Sequence, residues 1–169
     1  MIRAVVLSAL LAVPALATPV LAEGTLDGRI VTFGVLAYDD PAQPIFEAPG
    51  RTVKVGAGVE FGLDRIGAQN GVDVAPVIVD IGPSRVEVRF REGPGVLLVS
   101  EFNGYVLRFE GTCALFRSVR VDASATNMPM ADEDIRAETG TLYINMSGKA
   151  YTPESRFALD LGVEDCPLS

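Results

Sequence analysis

Period two governs this chain. Arg85-Val86-Glu87-Val88-Arg89-Phe90-Arg91 alternates without a fault, with Val86, Val88 and Phe90 on one side and Arg85, Glu87, Arg89 and Arg91 on the other. Successive strand side chains point to opposite faces, so such a run folds as a strand with one buried and one solvated face. Leu142, Ile144 and Met146 alternate with Tyr143, Asn145 and Ser147 in the same way. Phe157, Leu159 and Leu161 alternate with Arg156, Ala158 and Asp160. Val72 to Ile81 is more continuously apolar, which reads as a central strand, and Pro76 within it demands a bulge or an edge.

Glycine and proline punctuate these runs. Gly82-Pro83 separates two strands at close spacing, and Gly93-Pro94-Gly95 separates the next two. Asn103-Gly104, between Leu97–Phe102 and Tyr105–Phe109, predicts a two-residue hairpin, because both residues accept positive φ. That register places Leu98, Ser100 and Phe102 on one face with Tyr105, Leu107 and Phe109. Further strands are expected at Ile30–Tyr38, Thr52–Val55, Phe116–Val121 and Asp134–Glu138. The longest loops are Asp39–Pro49 and Asp122–Glu133. About nine or ten short strands with frequent turns and no helical stretch predict an all-β fold, an antiparallel β-sandwich, with a closed β-barrel as the alternative.

Residues 1–22 read as a secretory signal peptide, leaving 23–169 as a single β-sandwich domain. Arg3 supplies the positive n-region, Ala4 to Val13 the apolar run, and Val20-Leu21-Ala22 the small-residue cleavage site, with Ala15-Leu16-Ala17 as a second possible cut. The apolar run is too short for a membrane span, so none is expected once the signal is removed. The expected localisation is the periplasm or the medium. Removal takes away one cation, Arg3, so the formal net charge of −8 becomes −9. Such an acidic chain repels nucleic acid and anionic membranes, and no nucleic-acid partner is expected. Cys113 and Cys166 are the only cysteines. In an exported protein an even count reads as a disulfide, and the long loop closed here is worth roughly 4 kcal/mol in the chain-entropy model.

Several short words along the chain occur in a familiar order: Val55-Gly56-Ala57-Gly58-Val59-Glu60-Phe61, Val79-Asp80-Ile81-Gly82, Phe102-Asn103-Gly104-Tyr105, Val119-Arg120-Val121-Asp122 with Thr126-Asn127, and Leu142-Tyr143-Ile144-Asn145. The span from Val55 to Leu161 resembles secreted alphaproteobacterial proteins related to those with an exosortase (PEP-CTERM) sorting tail. The resemblance implies a β-sandwich and export, and it supplies no catalytic residue. The sequence ends at Pro167-Leu168-Ser169 without the sorting tail.

The chain contains no His, which excludes the Ser-His-Asp and Cys-His nucleophile systems and the HExxH zinc proteases. Carboxylates are the remaining acid–base groups. Glu60, Asp64, Asp73 and Asp80 are candidates for glycosidic chemistry if a cleft holds two of them about 5–10 Å apart. Turn and surface roles explain all four and are the expected reading, since sugar-cleaving sites usually offer Trp platforms and the chain has no Trp. Asp39-Asp40 and Asp132-Glu133-Asp134 cluster the hard oxygens that Ca²⁺ takes, though without EF-hand spacing, and no other cofactor is implied. Arg85, Arg89, Arg91 and Arg108, with Arg120, form a tentative ligand surface, since guanidinium forks suit the carboxylates of an acidic polysaccharide. Glu87, Glu101 and Glu110 lie in the same strands, so cross-strand ion pairs are the ordinary alternative. Tyr105, Tyr143 and Tyr151 are candidate sugar platforms, with Tyr105 assigned to the core by the hairpin register. Asn145-Met146-Ser147 matches a glycosylation acceptor formally. The expectation is an exported non-enzymatic binding or structural module whose partner is extracellular polysaccharide or another envelope protein. The rival expectation is a small carboxylate-dependent polysaccharide hydrolase or lyase.

Overall fold

A computed structural model describes residues 24–62, 68–69, 72–91 and 93–167. The expected signal peptide and Asp64 lie outside the described residues. In chain order the strands are β1 (Ile30–Tyr38), β2 (Phe46–Lys54), β3 (Val59–Gly62), β4 (Ala68–Gln69), β5 (Val72–Asp73), β6 (Val77–Gly82) and β7 (Arg85–Phe90). They continue with β8 (Gly95–Val96), β9 (Phe102–Phe109), β10 (Phe116–Val121), β11 (Ile135–Glu138), β12 (Thr141–Asn145), β13 (Ala150–Tyr151) and β14 (Arg156–Val163). A 3-10 turn at Asp132–Asp134 precedes β11.

Two antiparallel five-stranded sheets carry the fold, in the orders β11-β12-β9-β1-β2 and β10-β14-β7-β6-β3. Neither closes on itself, so the expected β-sandwich is present and the barrel alternative is not. Period two explains the packing. Val31, Phe33, Tyr105, Leu107, Leu142 and Ile144 of the first sheet meet Val79, Val86, Val88, Phe90, Phe157 and Leu159 of the second in one core. Phe33 stacks on Phe61 across the layers with ring centroids 5.2 Å apart. All nine residues of the three alternating faces, from Val86 to Leu161, are buried. A smaller apolar cluster, Leu36, Phe102 and Val106 with Tyr38 and Tyr143, lies on the outer side of the first sheet.

The Asn103-Gly104 hairpin does not form. β9 runs unbroken through both residues, pairing Gly104 with Leu36 on one side and Asn145 on the other. Glycine serves here by its lack of a side chain rather than by a positive φ, since a Cβ on Gly104 would lie 1.9 Å from the Ile144 carbonyl oxygen. Phe102 therefore faces away from Tyr105, and Leu98 is exposed rather than part of the core. Two other boundaries move. β2 begins at Phe46, inside the expected Asp39–Pro49 loop, and the Val72–Ile81 run divides at Val74-Ala75-Pro76, as a proline without an amide donor requires.

One end of the sandwich is tightly closed. Cys113, on the crossover from β9 to β10, bonds Cys166 beyond β14, with Cα atoms 6.3 Å apart and a sequence separation of 53. Arg29, almost wholly buried, donates from Nε to the Thr25 carbonyl and from Nη2 to the Cys166 carbonyl, both at 2.8 Å. Gly24 N–H donates to the Val163 carbonyl at 3.0 Å. Both described termini are thus fastened to the same edge.

Candidate functional site

The opposite end of the sandwich stays open, and local sequence explains why. After β7, Gly93-Pro94-Gly95 turns the chain away from the second sheet. Among the described residues β8 then pairs only with the short β13, Val96 opposite Ala150, and forms a strap across the sheet ends. Beneath the strap lies a cleft of about 310 Å³. Val35, Ala37, Phe46, Asn103, Gly104 and Tyr105 of the first sheet form one wall, and Val74-Ala75-Pro76, leading into β6, forms another. Gly95 to Leu98, Ile45 and Tyr151 complete it, and no described lining residue carries a formal charge. The volume lies at the lower end of the range for small-molecule sites.

Aromatic packing sets the floor. Tyr105 is fully buried, with its ring 5.5 Å from Phe33, and its hydroxyl donates to the Ala75 carbonyl at 3.3 Å. Burial first, and the nearby Tyr151 phenol second, push the Tyr105 phenol well above its ordinary range, so it remains a neutral donor. Tyr151 stacks on Phe90 at 4.6 Å, and its hydroxyl end lies against Gly95, where a Cβ would come within 2.5 Å of the oxygen. At the rim the chain leaves large apolar groups in water: Ile45 is 48% exposed, Val96 68% and Leu98 58%. Core packing does not require side chains so placed.

The tentative arginine surface is divided. Arg85 and Arg89 lie on the outer face of the second sheet, with Arg91 just beyond its strand, whereas Arg108 lies on the outer face of the first. Arg85 is wholly engaged: Nε with Glu87 at 2.9 Å, Nη2 with Asp122 at 2.8 Å and Nη1 with Asp160 at 2.5 Å. These carboxylates raise its already high pKa further. Asp122 is held down at about 2 by its hydrogen bonds from Ser124 and by the Arg85 guanidinium. Arg108 reaches Glu47 at 3.8 Å, and Arg120 reaches Asp132 at 3.4 Å. Arg89 stands opposite Arg156 of β14 and is exposed.

The acidic candidates serve the fold. Glu60 is the extra residue of a bulge in β3 and turns inward, where its carboxylate accepts N–H bonds from Gly56 at 3.0 Å and Ile81 at 2.8 Å. Asp80 lies on the outer face, opposite Glu87, and Asp73 falls in β5. Asp39 accepts from Glu101 N–H, and Asp40 from Ala42 N–H in an Asx turn. Asp132 accepts from Val121 N–H, while Asp134 accepts from Ala131 N–H and pairs with Lys149 at 2.9 Å. No three Asp, Glu or Cys side chains among the described residues come together as a metal site. Tyr143 lies under Arg136, 4.1 Å from its guanidinium carbon, and the Asn145 amide bonds to the backbone of Asn103, Ser147 and Glu101.

Tyr105 and Tyr151, named from the sequence as candidate sugar platforms, both line the cleft, whereas its other residues went unpredicted, although one signal was present. Val96-Leu97-Leu98-Val99 is apolar without alternation and follows Gly-Pro-Gly, which fits a strap better than a half-buried strand. Fold and cleft together define an open two-sheet β-sandwich, disulfide-closed at one end, with a neutral cleft at the other. Comparison with protein families, curated proteins and solved structures finds no match. No helix among the described residues is long and apolar enough to cross a membrane.

Proposed function

We propose that the protein is an exported, non-enzymatic binding module of the periplasm or cell exterior, and that its ligand seats in the end cleft. The observation that carries this reading is the charge-free cleft under an exposed apolar rim. Keeping a Val, Leu or Ile side chain in water forgoes roughly 1.5–3 kcal/mol of burial, so the rim makes sense as a surface that something covers. The signal-like residues 1–22 and the resemblance to secreted proteins support export. The hydrolase or lyase reading has less support, because both Glu60 oxygens are spent on backbone amides and Asp80 faces away from the cleft.

Native protein recovered from the periplasm, extracted into organic solvent and analysed by mass spectrometry, tests the reading. The expected result is a compound present with wild type and missing from Ala75→Phe, which narrows the cleft. N-terminal sequencing of the same sample should begin at Glu23. Retention of Met1 refutes export, and cleavage of a polysaccharide panel by the purified protein refutes the non-enzymatic assignment.

One observation favours a second reading, an acidic polysaccharide on the outer face of the second sheet. Arg89 and Arg156 are directly opposed, an arrangement that repels unless an anion lies between them. Binding of polygalacturonate lost in Arg89→Glu and kept in Ala75→Phe is the outcome that supports it.

A further inference from the structure

Resting on the binding reading above, we infer that the cleft selects an uncharged molecule with an apolar body and a hydrogen-bond-donating head, such as a hydroxyl or N–H. The selection begins with charge. The chain carries a formal net charge of −8, yet the cleft lining is neutral throughout. An anion entering would meet a like-signed protein field and no compensating cation, and a cation would find no carboxylate in the lining. A neutral ligand avoids both costs.

Asn103 supplies the specific contact. The residue is only 9% exposed, and almost all of its polar groups are occupied. Its N–H donates to Asn145 Oδ1 at 3.2 Å, its carbonyl accepts from Met146 N–H at 2.8 Å, and Nδ2 donates to the Leu98 carbonyl at 2.9 Å. The last bond fixes which end of the amide is nitrogen, because a carbonyl cannot receive a bond from Oδ1. Oδ1 accepts nothing from any described residue. No side-chain oxygen cut off from solvent among the described residues lacks a partner, so Oδ1 meets solvent, and on a residue that lines the cleft it is a point acceptor whose natural complement is a ligand O–H or N–H. The Tyr151 hydroxyl, also without a described partner, stands in the same cleft as a second polar contact. Discrimination follows from this pairing, since a ligand lacking the donor leaves Oδ1 desolvated and unpaired.

Two dyes with one skeleton separate the possibilities. N-phenyl-1-naphthylamine is neutral, apolar and bears a single N–H; 1-anilinonaphthalene-8-sulfonate adds a negative charge to the same rings. Fluorescence titration of the oxidised protein should show the neutral dye binding at least tenfold more tightly than the sulfonate. Ala75→Phe should weaken the neutral dye at least tenfold. Val96→Asp, at an exposed rim position that tolerates substitution, should weaken it several-fold without moving the melting temperature. That rim variant keeps the test decisive if Ala75→Phe folds poorly. Equal or tighter binding of the sulfonate, lost in the cleft variants, overturns the ligand class and leaves the cleft as a binding site. Binding of both dyes unchanged by either variant, or absent from wild type, overturns the cleft reading itself.

Discussion

Replacing Glu60 with Ala should cost the protein far more than loss of a surface carboxylate. The residue is 8% exposed, and its two oxygens receive the Gly56 and Ile81 N–H groups at 3.0 and 2.8 Å. Ile81 itself is 1% exposed, so water cannot readily replace its partner. An orphaned buried N–H costs about 1–3 kcal/mol, and the charge-assisted bond to the more exposed Gly56 adds about 1 kcal/mol. The sum is roughly 2–4 kcal/mol, which for a domain of this size lowers the melting temperature by about 5–15 °C. Glu60→Gln sharpens the test. Its amide keeps one acceptor but turns an NH₂ toward the other N–H, so it should recover no more than about half of the loss. Calorimetric melts and urea unfolding at neutral pH give both numbers. A Glu60→Ala protein within about 0.5 kcal/mol of wild type, or a Glu60→Gln protein as stable as wild type, would show that the carboxylate is not structural.

Val88→Asp should abolish cooperative folding, because Val88 is fully buried between the sheets, while Arg89→Glu on the solvated face should change stability by less than about 0.5 kcal/mol; circular dichroism melts of the pair check the facing of β7. Thiol titration of denatured, unreduced protein should find no free sulfhydryl, and reduction of Cys113–Cys166 should lower unfolding free energy by about 2–4 kcal/mol in urea titrations. Asp122 has a depressed pKa in the folded state, so its contribution is present above the unfolded value near 4 and is lost as pH falls through about 2. Asp122→Asn should therefore flatten the acid-induced loss of stability in that window, and carboxyl NMR should show the Asp122 resonance titrating below the other aspartates.

Strand periodicity was legible where one face is buried and the other solvated, because the sequence must then alternate residue by residue. Arg85 to Arg91 satisfies that condition, and β7 follows. Asn103-Gly104 shows where local reading ends. Turn propensity describes φ freedom, whereas Gly104 was needed for backbone contact with a strand more than thirty residues downstream. The arginines were legible one by one but not as an arrangement, for a related reason. Period two places Arg85 and Arg108 on outer faces, but it does not say that those faces belong to different sheets or that Asp122 and Asp160 converge on Arg85. The cleft needed three distant segments in register, so no window of sequence contained it.

The strand order also dictates when the molecule can become whole. β9 lies between β1 and β12, and β14, the last strand, lies between β10 and β7. A chain delivered N-terminus first presents β1 and β2 as a hairpin, and the other edge of β1 has no partner strand until Phe102–Phe109 arrives. The second sheet stays split until Arg156–Val163 inserts into its middle. Assembly must therefore wait for nearly the entire polypeptide, and such non-local pairing is slow. In the interval several strand edges are open to mispairing. Oxidation comes last as well, because Cys166 is not in place until the final strand has seated.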